Sequence, residues 1–577
     1  MTISLEVDGR AVAVDAEDAS LLEVLRDHLG IRSPKDGCSP QGQCGCCTVL
    51  VDGQPRVACV TPVRRVRGRS ITTVDGLAPE VADTWASAFC ATGASQCGFC
   101  TPGIVLRLEG LRRKRRTDRT GGDDAAGGAA SAAGAGPDGD RGATDLAVGG
   151  TAASAGGSPG VAPVGGSASP ADHPAVERAL AAHLCRCTGW RTILDAWDVA
   201  VPALDAAGGP VPWPGDRDVD AARQRAALEG GVVQEVAPQV ALGRAGFADD
   251  VAPADALVAV PDGAGGWAVG ESLAEARLAA GKVQGRRTTV PPAPPLDLPD
   301  VGGAVVALRT SWVEPGYLET DASWCQPGGE PASPLANGGA FGGKVRSPVG
   351  EAARRLADEH GRPVRVLLAR EDTVRLGPKR PPISGAVRPD GTGVLRVVAT
   401  PGIEAAVASV APGLTVEQVE VPGPHTSLDL RGAGWVEAAV LVAAAGGATA
   451  VRSPGGAEAE ATIGDDGTVD IRVSCGPVLD EVVLRSYVVG AVHQALSWVT
   501  SEALAVDDHG DVLDLTIRSF GILRAIDMPA VHVRLDQGAP GDPVNGSDAV
   551  LAAVALAVWR HQGLPDAWPT GLPVRTG

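Results

Sequence analysis

The chain has 577 residues, 44% of them hydrophobic, enough for several cores, and a formal net charge of -19. That balance excludes nucleic acid and anionic membrane surfaces as expected partners, because both carry the same sign of charge. The first residues lack a basic, apolar and small-residue leader, and the longest weakly polar run, 436–451, is short for a bilayer, so a cytoplasmic protein without a membrane span is expected.

Taken in order, Ile3, Leu5 and Val7 alternate up to an Asp8-Gly9 turn, and Val12 and Val14 resume the alternation on a second strand. Leu21, Leu22, Leu25 and Leu29 then line one face of a helix that Gly30 stops. Cys38, Cys44, Cys47 and Cys59 follow in a loop whose Gly37, Gly42 and Gly45 let the backbone wrap close to sulfur. Thr48 to Val51, an Asp52-Gly53 turn and Val57 to Val60 read as a second hairpin. Hairpin, helix, metal loop and hairpin make a β-grasp plan over residues 1–76.

A second set of cysteines lies further on: Cys97 and Cys100 in QCGFCTPG, with Cys185 and Cys187 in HLCRCTGW. Thr101 and Pro102 start a helix predicted over about 103–116, and Pro174 starts another ending near His183. These four thiols therefore sit at helix ends, where free N–H groups and terminal dipoles reach them. Four thiolates per site is the count of a 2Fe-2S cluster, and two sites on one chain imply electron transfer. Structural zinc is the alternative, although it favours paired C-x2-C knuckles, and the first set contains one such pair. Cys46, Cys90, Cys325 and Cys475 read as buried packing residues; Cys46 is also placed to exchange with Cys44 or Cys47 as a ligand.

The helical 2Fe-2S domain, 77–200, is interrupted. Residues 119–172 are nearly all Gly, Ala, Ser, Pro and Asp, without apolar periodicity, which predicts a disordered insertion. The basic run Arg112 to Arg116 before it reads as a solvated helix face. A Pro-rich stretch then suggests a linker over 201–240, leaving 241–577 as a third, mixed α+β unit.

The β-grasp cysteine loop, QCGFCTPG and LCRCTGW together resemble the iron-sulfur part of the xanthine dehydrogenase and aldehyde oxidase family of molybdenum hydroxylases. The segments GRAGFADDVAPADALVAV, GGAFGGK, DLRGAGWVEAA and GDPVNGSDAVLAAVALAVW are similar to parts of that family's molybdenum-binding subunit, in the same order. The resemblance implies an α+β chain of β-grasp, helical-bundle and shortened molybdopterin-binding-like domains. It implies two 2Fe-2S clusters and a molybdopterin in its cytosine dinucleotide form. Gln96, before CGFC, would contact the pterin, and Gly339, Phe341 and Gly342 would contact the cofactor. Electrons would reach Cys97, Cys100, Cys185 and Cys187 first and leave through Cys38, Cys44, Cys47 and Cys59.

GGAFGGK also fits the start of a phosphate-binding loop, but Val345 stands where Ser or Thr would hold magnesium. A glycine-rich turn is the plainer reading. By the same resemblance Arg431 lies at the substrate pocket, where its planar fork suits a carbonyl or anion; an ordinary ion pair is the alternative. The family's catalytic Glu is replaced by Asp542, in Gly541-Asp542-Pro543, a carboxylate one methylene shorter and also a common turn residue. The implied activity is oxidation of a small aldehyde or N-heterocycle, with electrons passed to a separate acceptor such as a flavoprotein subunit. The alternative is a 2Fe-2S electron-transfer or accessory protein whose molybdenum domain is degenerate.

Overall fold

The structure is a computed structural model that describes residues 2–123, 172–206, 217–281, 285–337, 339–538 and 540–573. Its first sheet has five strands. Ile3–Val7 pairs antiparallel with Arg10–Val14 and parallel with Ser70–Thr72, and Thr48–Val51 carries the sheet on to Gln54–Val57. The alternation of Ile3, Leu5 and Val7 puts all three in the core, as a period of two requires. The leucine-lined helix is a single α-turn, Leu21–Glu23, capped by Ser20 and continued as a π segment, Val24–His28. The second hairpin ends earlier than its apolar run suggests. Ala58–Val60 is a 3-10 turn that swings Cys59 back toward the cysteine loop.

The helical part is built from Pro79–Thr92, Thr101–Asp123, His173–Leu180 and Arg191–Asp205. The helix after Pro102 is longer than predicted and runs through 119–123, so the insertion boundary at 119 is corrected to lie beyond Asp123. The rest of the expected insertion, 124–171, lies outside the described residues. Of the basic run, Arg112 is buried, held by Glu109 and Asp205. The supposed linker 201–240 is also corrected. Its first residues extend the helix Arg191–Asp205, and Val219–Gly230 is a helix capped by Asp218, while 207–216 lie outside the described residues. Arg225 and Glu229 on that helix are 0% and 3% exposed, because each finds partners in the far C-terminal segment.

Three further sheets carry the rest. Trp267–Gly270, Leu257–Pro261, Val364–Leu367 and Ala322–Cys325 form one, backed by the helix Val349–His360. Leu414–Val419, Gly393–Val398, Ile383–Val387, Val306–Thr310 and Ala567–Trp568 form the second, and Ala450–Arg452, Glu458–Ile463, Val469–Ser474 and Val531–Leu535 the third. Glu481–Thr500 and Ser547–His561 pack between the layers as almost wholly buried helices, rich in Val, Ala and Leu on every side. One continuous apolar core joins them to the β-grasp and helical parts. No helix among the described residues is long and apolar enough to cross a membrane.

Candidate functional site

The two cysteine sets form two sulfur clusters that lie against each other. In the first, Cys38 lies within hydrogen-bonding range of Cys44 and Cys59, and Cys59 of Cys47, with all four sulfurs buried. The loop backbone turns inward as its glycines permit: the amides of Gln41 and Gln43 donate to Cys38 Sγ at 3.3 and 3.4 Å, and that of Cys59 to Cys47 Sγ at 3.4 Å. Gly42 and Gly45, at φ +70° and +75°, take the left-handed conformations this requires.

In the second set Cys97 Sγ and Cys187 Sγ are 3.7 Å apart. Cys100 and Cys185 share a hydrogen bond that pushes the Cys100 thiol up and pulls Cys185 down to about 6, helped by the Thr188 hydroxyl at 3.1 Å. Among the described residues no three His, Cys, Asp or Glu side chains close around a single ion. The second set comes as two adjacent pairs and the first as a run in which Cys38 neighbours Cys44 and Cys59, and Cys59 neighbours Cys47; four gathered thiols in each set fit a 2Fe-2S cluster.

The contact between the sets is close. The Leu184 amide donates to Cys44 O at 2.9 Å, and Gly103 packs on the carbonyls of Gly45 and Cys46. Cys46 is fully buried in this seam, near enough to Cys38, Cys47 and Cys185 to feel their charge. His183 fills the seam beside Gly45 and hydrogen-bonds Thr48 at 3.1 Å; burial pushes it down to about 3, so it is neutral.

The large half closes over the second set. Gly490, on the helix Glu481–Thr500, lets that helix approach the Cys187 carbonyl so closely that any side chain would overlap it. Gly339, at φ +84°, packs against Cys97, with 3.0 Å from an added Cβ to the sulfur. Arg186, between the two ligands of LCRC, turns away into the large half, where Glu502 grips it bidentately and Pro315 O accepts its Nε at 3.0 Å. It lines two small cavities. One, of about 10 Å³, lies against Cys97, Cys100 and Cys187 with Glu319, Gly339 and Lys344. The other, of about 50 Å³, is walled by Glu314, Phe341, Arg380, Arg431, Gln494 and Glu502.

Each expected residue has a definite place. Gln96 donates to Cys187 O at 3.0 Å and Ser486 Oγ at 2.9 Å. Phe341 lies under the Arg431 guanidinium, 5.2 Å from the ring centre. Gly342, at φ +90°, is pressed onto the Asp429 carbonyl. Arg431 lies in the second cavity but is engaged on every arm: Asp548 at 2.6 Å, Gln494 at 3.2 Å, and Ser547. Asp542 is not with them. It is exposed on a turn whose carbonyl packs against Gly476, so the expectation of a catalytic base there is corrected to that of a turn residue. The carboxylates that do line the cavity are Glu314, 3.0 Å from Lys379, and Glu502. Sequence reasoning missed both, along with Arg186 and Arg380. Only Arg186 carried a signal, its position between two ligands.

As packed, these residues do not fit a molybdopterin. A cofactor of that size needs a cavity of several hundred Å³, whereas those lined by Gln96, Gly339, Phe341 and Arg431 measure about 20, 10 and 50 Å³. The glycines are required by protein backbone and sulfur, and the polar groups have protein partners. Lys344 and Glu319, 2.7 Å apart, are buried beside the second set, where burial pushes Glu319 up to about 7. An open groove of about 720 Å³ does exist between Pro389, Ala443 and Arg452, but it holds none of the expected residues.

Comparison with known proteins matches residues 73–131 to a [2Fe-2S] binding domain. The chain is 36% identical over 116 residues to the nicotinate dehydrogenase small FeS subunit of Eubacterium barkeri, a match covering 20% of this chain and 73% of that protein. It is 47% identical over 100 residues to the aldehyde oxidoreductase of Megalodesulfovibrio gigas, covering 17% of this chain and 11% of that one. A solved structure of the aldehyde oxidoreductase from Desulfovibrio gigas superposes with a TM-score of 0.60, covering 96% of this chain and 97% of that chain, at 14% identity. At that identity the likeness is one of fold, and it extends through the large half.

Proposed function

The chain belongs to the xanthine dehydrogenase and aldehyde oxidase family of molybdenum hydroxylases, and from that premise we propose that it is an oxidoreductase taking electrons from a small aldehyde or N-heterocycle and passing them through two 2Fe-2S clusters to a separate acceptor. The observation that carries this reading is the junction of the two quartets, where Leu184, next to Cys185, hydrogen-bonds Cys44 directly at 2.9 Å. Clusters held on these loops are close enough for electrons to pass from one to the other. Cys97, Cys100, Cys185 and Cys187, facing the large half, form the entry. Cys38, Cys44, Cys47 and Cys59 form the exit.

The substrate end is the cavity around Phe341, Arg380 and Arg431. Arg380 is stacked 4.0 Å over Trp498 and bound to Glu437, and Arg186 links this cavity to the second quartet through its chain neighbours Cys185 and Cys187. The guanidinium groups suit a carbonyl or anionic substrate.

The filled cavities favour a second reading, in which the large half is a scaffold and the chain is an electron-transfer member of the family. Iron and molybdenum analysis separates the two. Both readings expect about four irons per chain; a stoichiometric molybdenum, with cluster bleaching on adding an aldehyde or N-heterocycle, supports the enzyme. Four irons without molybdenum supports the scaffold, and iron well below this level sinks both.

A further inference from the structure

We propose that the surface over the first quartet is a docking face for an acidic protein electron acceptor, one whose carboxylates surround its redox group. The inference rests on the reading that electrons leave through Cys38, Cys44, Cys47 and Cys59. Those four sulfur ligands are only 1–4% exposed, yet the skin over them is thin. Gln41, Gly42 and Gln43 form the outer turn of the loop, and Gly42 packs on Val60, which follows Cys59 and is 54% exposed.

Arginines from two distant segments gather at this skin. Arg518 donates its Nε to Gln43 O at 3.0 Å and its backbone amide to Gln43 Oε1 at 3.3 Å. Its guanidinium lies within electrostatic range of Cys38 and Cys44 and of two other cations, Arg287 and Arg524. Arg287 is exposed and pairs with no described residue. It is carried by a segment that packs across the loop: Arg286 O accepts the Leu515 amide at 2.9 Å, and Gly285 lies against Gln41. Arg524 is bound to Asp527 at 2.8 Å. Three guanidinium groups thus face one paired carboxylate. Glu371, under the loop and hydrogen-bonded to Gln41 at 3.1 Å, is 1% exposed, and Asp514 is turned inward onto the Thr288 amide. Asp511, on the turn just before Val512, is the nearest exposed carboxylate along the chain.

A chain of net charge -19 repels anions at long range. A positive patch at the electron exit reverses that sign at one place, selecting a negative partner and orienting it with its redox group toward Cys59 and Val60. The second quartet lies against the helix Glu481–Thr500 and the loop carrying Gly339, which leave only Cys97 partly exposed.

The test uses the dithionite-reduced full chain with both clusters, mixed in stopped flow with ferricyanide, a trianion, or tris(phenanthroline)cobalt(III), a trication. Ionic strength is raised from about 0.01 to about 0.15 M, which shortens the screening length from about 30 to about 8 Å. Ferricyanide is expected to slow about tenfold and the cobalt complex to speed up. An acidic flavodoxin should follow ferricyanide. Arg287→Glu should remove most of the salt effect and Arg287→Lys retain it, with cluster spectra unchanged in both. Ferricyanide speeding up with salt, as the net charge alone dictates, overturns the proposal, and so does an Arg287→Glu variant indistinguishable from the parent. Reduced clusters that no oxidant reoxidises overturn the electron-transfer reading itself.

Discussion

The cysteine loops and the glycine–arginine pocket are built under different constraints. In the loops, the residues that sequence spacing groups together meet in space, even though 84 residues lie between Cys100 and Cys185. In the pocket, residues grouped by family segments do come near one another, but each is taken by a protein partner: Arg431 by Asp548, Gln96 by Cys187 O, Gly342 by Asp429. A metal cluster needs only four sulfurs on short, turning backbone. A substrate pocket needs empty volume, which depends on everything packed around it and leaves no local pattern.

The sharpest way to break this contrast is at the second quartet. Cys185→Ser should erase one of two reduced-cluster signals in electron paramagnetic resonance and remove roughly half the iron, the other signal persisting, since each quartet supplies its own four ligands. Loss of both signals together would show that the junction at Leu184 and Cys44 makes the clusters one cooperative unit.

A second pair of variants sharpens the pocket side. Arg431→Ala strips a partner from Asp548 and the ring face from Phe341, in a setting where Arg431 is 7% exposed and Asp548 26%. It should lower the thermal midpoint by the equivalent of about 3 kcal/mol and abolish any substrate oxidation. Asp542→Asn, at an exposed turn, should leave both unchanged. An inactive, fully stable Asp542→Asn would move the chemistry out of the Arg431 cavity and toward the C-terminal turn.

Legibility followed the same division. The strands Ile3–Val7 and Arg10–Val14 were readable because one buried face imposes a period of two, and the turn at Asp8-Gly9 carries its own chemistry. The helix after Thr101 was readable at its start, where Pro102 marks it, and not at its end, where no glycine or proline stops it before 121. The 201–240 stretch looked like a linker because its prolines dominate. Its helix Val219–Gly230 has little amphipathic pattern and docks instead through Arg225 and Glu229, whose partners Val478, Val544 and Gly546 lie more than 200 positions away. Glu502 and Arg380 were invisible for the same reason: a buried charge is identified by its partner, and the partners are remote in sequence.

Acid stability offers the smallest effect and a direct probe of how tightly the two halves are joined. His493, on the helix that covers the second quartet, is fully buried, its Nε2 donating to Leu523 O at 2.9 Å, and burial pushes it from the usual 6.5 down to about 4, with Arg186 adding to the shift. The unfolded chain binds a proton there below about pH 6.5, while the folded chain resists until about pH 4. Its contribution is therefore present above pH 6.5 and lost as pH falls through that window, by on the order of 3 kcal/mol. His493→Gln should be less stable than the parent at pH 8, yet its thermal midpoint should fall less between pH 6.5 and 4.5. Parallel curves for the two proteins would mean that the helix Glu481–Thr500 opens to water before the chain unfolds, and the large half would then be a loosely held cover on the clusters.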